Sequence, residues 1–147
     1  MPRLPLAAPP SLREAVAALP AVLASGCEAA VQAGAQRIAD GICAALRVPP
    51  VSVRVEQRRP PLRGGELQGL YTPGTGGRRD LITVWMLTAK RGQVVAFRTF
   101  LRTLLHEVCH HLDYTFLHLR DSLHTQGFYQ RESSLFHALE AGKVDGR

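Results

Sequence analysis

From about Val94 onward, apolar residues recur at spacings of three and four: Phe97, Leu101, Leu104, Leu105, Val108 and Leu112. That period predicts a helix with one broad buried face, running to about Leu119. Glu28 to Leu46 carries the same period in Val31, Ala35, Ile38, Ile42 and Leu46, and Pro49-Pro50 stops it. Val51 to Glu56 alternates apolar and polar positions, the pattern of a half-buried strand. Leu81 to Leu87, with Ile82, Thr83, Val84 and Trp85, predicts a second strand, and Leu67 to Thr72 a shorter one. Pro73 to Gly77 is a glycine-rich turn, so the last two strands are expected to form a hairpin. Arg58 to Gly65 and Asp121 to Gly127 read as loops, and Tyr129 to Leu139 as a final helix. Near the N-terminus, Ser11 and Glu14 have capping-box spacing, and Pro20 is expected to end or kink the helix they open. Met1 to Pro10 reads as a flexible Pro-rich arm, leaving residues 11–147 as a single domain. Helices, then strands, then helices predict an α+β fold, a small antiparallel or mixed sheet packed on helices.

Composition narrows the picture modestly. The 147 residues are 46% hydrophobic and 20% charged, ordinary globular usage with material for one core. No run of roughly 18 apolar residues is present, so no membrane span is expected. Prolines break the first ten residues, so they do not read as a secretory signal, and cytoplasmic residence is the expectation. Cys27, Cys43 and Cys109 are odd in number and lack C-x-x-C spacing, which argues against disulfides and a cysteine-built metal knuckle. The net charge of +6 favours acidic partners. Arg54, Arg58, Arg59, Arg63, Arg78, Arg79, Lys90 and Arg91 cluster along the strand region, where a solvated face explains them and nucleic acid is a second reading. No interleaved aromatics support base stacking there.

The chemistry concentrates in His106-Glu107-Val108-Cys109-His110, an H-E-x-x-H inside the strongest helical pattern. Residues four apart share a helix face, so His106 and His110 can hold one metal ion, with Glu107 reaching its bound water. A catalytic zinc takes about three protein ligands and leaves one position for water. Candidates for the third ligand are His111, Asp113, His118, His124, Glu132 and His137. His111 points about 100° away around the helix, and His118 lies more than two turns beyond His110. His124 follows a loop that lets the chain return and is the favoured ligand, then Glu132, then Asp113. Asp113 also suits a role in orienting a ligand histidine.

His106-Glu107-Val108-Cys109-His110 followed by His124-Thr125-Gln126-Gly127-Phe128 resembles the SprT-like zinc metallopeptidases. That family pairs H-E-x-x-H with a downstream H-G-x-x-F whose histidine is the third ligand. Phe128 keeps its distance from His124, whereas Thr125 stands where the family has glycine and Gly127 comes later. The resemblance covers about the last two-thirds of the chain and implies a minimal zincin-like fold with one Zn2+ per chain. It also permits a DNA-facing basic surface, since several members act on DNA-bound proteins. Metzincins and the H-x-x-x-H-x-x-x-x-x-H endoribonucleases would need histidine at position 116, which is Phe116.

Site chemistry then predicts hydrolysis of a peptide or protein substrate. Zinc lowers the pKa of bound water toward ~7. Glu107 is the expected general base, and Tyr129, Tyr114 or His111 candidate oxyanion stabilisers. Leu67 to Thr72, or else Leu81 to Leu87, is an expected edge for strand addition by the substrate. The alternatives are a non-catalytic, zinc-stabilised binding module and a zinc hydrolase of a non-peptide amide or ester.

Overall fold

The computed structural model describes residues 4–62, 65–66 and 68–145. Arg63 of the basic segment, Leu67 at the start of an expected strand, and residues 1–3 of the expected arm lie outside them. Along the chain run α1 (Pro10–Ala24), α2 (Glu28–Leu46), β1 (Ser52–Arg58), β2 (Pro61–Leu62), β3 (Gly65–Glu66), β4 (Gly69–Thr72), β5 (Leu81–Leu87), α3 (Phe97–Thr115) and α4 (Gln126–Asp145). The architecture is α+β, with a three-stranded mixed sheet in the order β1-β5-β4. β1 runs parallel to β5, and β4 and β5 form the expected antiparallel hairpin, with Gly69 opposite Val84 and Thr72 opposite Leu81.

Burial explains why the periodic segments became elements. On α3, Leu101, Leu104, Leu105, Val108 and Leu112 are buried, and Phe97 packs at the edge of the core. Phe128, Leu135, Phe136 and Leu139 of α4 join them from the other side. Each such side chain contributes about 1.5–3 kcal/mol when fully removed from water, so this seam fixes which face of α3 is left for chemistry. Cys109 is buried inside the seam, as expected for a small core residue.

Several boundaries differ from the sequence reading, each for a physical reason. α1 starts at Pro10, with Pro9 as N-cap and no side-chain cap, so Ser11 is not the capping residue. Proline at the first helical position forfeits nothing, because that N–H has no helical partner anyway. The helix also continues through Pro20 to Ala24, because Leu12, Val16, Leu19 and Leu23 bury one continuous stripe. Burial of that stripe outweighs the roughly 3 kcal/mol that an interior proline costs. Where a flexible arm was expected, Leu4 is buried and its N–H donates to Ser134 Oγ at 3.3 Å. The Arg58–Gly65 segment, expected as a loop, contains β2, which pairs with β3 as a two-stranded ribbon. α3 ends at Thr115, short of Leu119, because His118 takes a left-handed backbone (φ 56°) and the Leu119 N–H turns back to the Asp113 carbonyl. α4 begins before Tyr129 because Thr125 Oγ1 accepts the Phe128 N–H at 3.1 Å, an N-cap bond.

The two edges of the sheet are treated differently. Outside β1, Gln36 of α2 accepts the Val53 N–H (2.8 Å) and donates to the Val51 carbonyl (2.9 Å), and Gln32 accepts the Val55 N–H (3.0 Å). These glutamines stand in for a missing strand and seal that edge. β4 pairs with β5 on one side and with no described strand on the other. Gln36→Ala removes the side-chain partner of two backbone groups, the Val53 N–H of β1 and the Val51 carbonyl just before it. The expected loss is about 1–3 kcal/mol of unfolding free energy, read by urea denaturation.

Candidate metal centre

α3 turns its apolar face into the core, so His106 and His110 emerge one above the other on the opposite, half-buried face. The chain after α3 folds back and delivers His124 just before the N-terminus of α4. The three imidazoles meet through the same atom. His124 Nε2 lies 3.1 Å from His106 Nε2 and 3.1 Å from His110 Nε2. One ring nitrogen from each of the three lies within 4.8 Å of the others, close enough to share one metal ion. Two nitrogens bound at about 2.0–2.1 Å in a tetrahedral shell sit roughly 3.3 Å apart, close to the spacing observed.

The opposite ring nitrogens decide what those atoms present. His106 Nδ1 lies 2.6 Å from Glu132 Oε1, and an ionised carboxylate only accepts, so Nδ1 carries the proton. His110 Nδ1 lies 2.6 Å from Ser122 Oγ, whose hydroxyl donates onward to Asp113 Oδ2 at 2.6 Å. Ser122 therefore accepts from His110, and His110 Nδ1 is protonated as well. In the neutral rings both Nε2 atoms then hold bare lone pairs aimed at one point. The His124 Nε2 can lend at most one N–H to this pair, whereas a single cation satisfies all three nitrogens at once, so the donor set fits a metal ion. Asp113 is in turn fixed by Arg131, at 3.1 Å. Phe128 forms the floor, its ring centroid 4.7–5.1 Å from all three imidazoles.

The titration tendencies follow from the same surroundings. Burial, together with the His106 and His124 charges, depresses His110 to about 4, keeping it neutral. The hydrogen bond to Glu132 raises His106, against the effect of burial. Glu107 is buried, and burial pushes its carboxyl up to about 7, with His106 opposing and Glu132 adding. Gly69 of β4 presses against it. A Cβ at that position would sit 2.9 Å from Glu107 Oε2 and 2.9 Å from Thr103 Cγ2, so only glycine lets the strand approach this closely.

Not every expected residue joins the cluster. Glu132 and Asp113, candidate alternative ligands, are engaged with His106 and with Ser122 and Arg131, and they orient rings instead. His111 faces away and is fully buried, so it is no oxyanion stabiliser. Its Nε2 meets the Pro49 carbonyl at 2.8 Å, and its Nδ1 lies 3.1 Å from both Tyr71 Oη and Asp80 Oδ2. That bonding pins α3 to β4 and to the approach to β5. Tyr114 lines the cavity over the histidines, stacks on Tyr71 and accepts the Ser122 N–H. Tyr129 stands half exposed, its ring 5.9 Å from that of His124. His118 and His137 stay outside the cluster.

Ser122, Gly69, Tyr71 and Arg131 escaped the sequence reading. A glycine within a strand pattern was a usable signal for Gly69, whereas nothing local marks Ser122. His124→Ala should abolish tight zinc binding in a competitive chelator titration. Ser122→Ala should keep the ion but weaken it about 10–100-fold, because only the orientation of His110 is lost. No protein-family model, no curated protein and no solved structure matches this chain, so the metal-centre assignment stands on its geometry alone.

Proposed function

We propose that this protein is a zinc-dependent metallopeptidase of a minimal zincin-like fold, related to the SprT-like enzymes. The observation that carries the reading is the convergence of three histidine Nε2 atoms beside a buried glutamate with no hydrogen-bond partner among the described residues. An all-nitrogen imidazole set suits zinc among the common biological cations. His106, His110 and His124 would hold it. Glu132 and Asp113, the carboxylates able to close the shell, are committed elsewhere. That favours an open catalytic site over a four-ligand structural one. When bound, zinc supplies a Lewis acid and a water acidic enough to ionise near neutral pH.

The chain's own residues do the rest. Glu107 takes the proton of the attacking water and returns it to the leaving amine. Its place under β4 keeps the carboxyl out of bulk water, which suits a base that must later act as an acid. β4 offers its outer backbone edge directly above, so an extended peptide is held by strand addition with its carbonyl near the histidines. Gly69 keeps that edge close to Glu107. Tyr114 or Tyr129, on either flank, is the oxyanion donor in this reading.

Glu107→Gln is the test. The variant is expected to retain zinc while losing about 10²–10⁴-fold in turnover of a peptide library. Chelation should abolish wild-type cleavage and added zinc restore it. Normal hydrolysis by Glu107→Gln would exclude this glutamate as the base.

A further inference from the structure

The cavity over the histidines has a neighbour of different chemistry. It holds about 400 Å³ between β4 and the N-terminal half of α3, sharing Gly69, His106 and Glu107 with the first. Its far wall carries Arg102 and Glu132. We infer that this second cavity binds a substrate carboxylate through Arg102, so that the enzyme selects bonds with a carboxylate close to one side. The inference rests on the peptidase reading and adds a substrate class to it.

Arg102 is held but not used up. Its guanidinium lies over the Phe136 ring, Cζ 4.1 Å from the centroid, which fixes the plane of the fork. Among the described residues its one ion pair, NH1 to Glu132 Oε2, is 3.6 Å long, beyond hydrogen-bond reach. Glu132 spends its other oxygen on His106 at 2.6 Å. Neighbouring Arg98 is instead engaged with Glu140 at 3.2 Å. With no hydrogen-bond acceptor for it among the described residues, Arg102 has donors to offer an incoming group, and 42% of its side chain is exposed. A rigid fork with free donors matches a carboxylate bidentately, which a lysine would not.

Spacing sets the range. Arg102 precedes His106 by four residues, one helical turn on the same face, or about 6 Å along the axis. An extended peptide advances roughly 3.3 Å per residue, so the carboxylate belongs to the first or second residue from the scissile bond. On the opposite flank the cavity of about 360 Å³ is lined by Leu70, Tyr71 and Tyr114 and carries no arginine or lysine. The two flanks therefore differ in kind, one carrying the aromatic and apolar side chains Leu70, Tyr71 and Tyr114, the other an arginine, Arg102, beside Glu132 and Glu107. An acidic side chain and a free C-terminal carboxylate present the same group.

The test uses zinc-loaded full-length protein and four peptide sets, amidated with Asp or Glu, amidated with Asn or Gln, and neutral peptides with free or amidated C-termini. Cleavage gives kcat/KM, and calorimetric titration of zinc-loaded Glu107→Gln gives Kd without turnover. The expected preference for a carboxylate is on the order of 10-fold in either measurement. The first pair of sets reveals a side-chain source and the second pair a terminal one. Arg102→Met keeps the stem over Phe136 and should erase the preference while zinc content stays unchanged, and Arg102→Lys should restore part of it. Cleavage without any carboxylate preference, or a preference that survives Arg102→Met, overturns the inference and leaves the peptidase reading standing. Carboxylate-selective binding without cleavage of any peptide overturns the peptidase reading and leaves the Arg102 site standing. Neither selective binding nor cleavage overturns both.

Discussion

Protonation of two imidazoles at Nδ1, the nitrogen turned away from the shared point, is the constraint on which this site depends. His106 and His110 each spend Nδ1 on an internal acceptor, Glu132 and Ser122. Only then do their Nε2 lone pairs converge with His124. The acceptors come from different parts of the chain, Glu132 from α4 and Ser122 from the connection between α3 and α4. Asp113 and Arg131 extend the second link, so α3, the connection and α4 are joined by one chain of hydrogen bonds. The site is therefore inseparable from the packing of those two helices. Loosening Phe128 or Leu135 would move the acceptors as well as the core.

A second constraint lies in the sheet. Glutamine side chains from α2 close the β1 edge, while the outer edge of β4, where it crosses Glu107, pairs with no strand among the described residues. An open edge is ordinarily an aggregation liability, and here it lies beside Glu107 and the histidine cluster. The Tyr71–Asp80–His111 cluster holds β4 at its far end, with Tyr71 Oη donating to Asp80 at 2.7 Å. Gly69 governs the near end. Two contacts thus set the height of the strand above α3, and with it the burial of Glu107.

Much of this was legible in the sequence. The helical period around H-E-x-x-H placed both histidines on one face, and the return loop brought His124 to them. Phe116 disposed of two rival patterns, and Asp113 was readable as an orienting group. The rest required three dimensions. Ser122 has no local signature, because its role depends on how a connection folds onto a helix. His111 was expected to point away from the ion and was a candidate oxyanion stabiliser, yet one step around α3 carried it fully into the interior. Pro20 and Ser11 misled because local propensity yields to the burial of Leu12, Val16, Leu19 and Leu23. Thr125, which departs from the glycine of the resembling family, serves as the cap that starts α4.

The central claim is that one metal ion is bound by three imidazoles and no carboxylate. X-ray absorption spectroscopy of the zinc-loaded protein tests it most directly, since imidazole rings leave a multiple-scattering signature that can be counted. Three imidazoles at about 2.0 Å with one further light-atom ligand is the expected result. Two imidazoles with carboxylate oxygens, or a shell of four protein ligands, would contradict it.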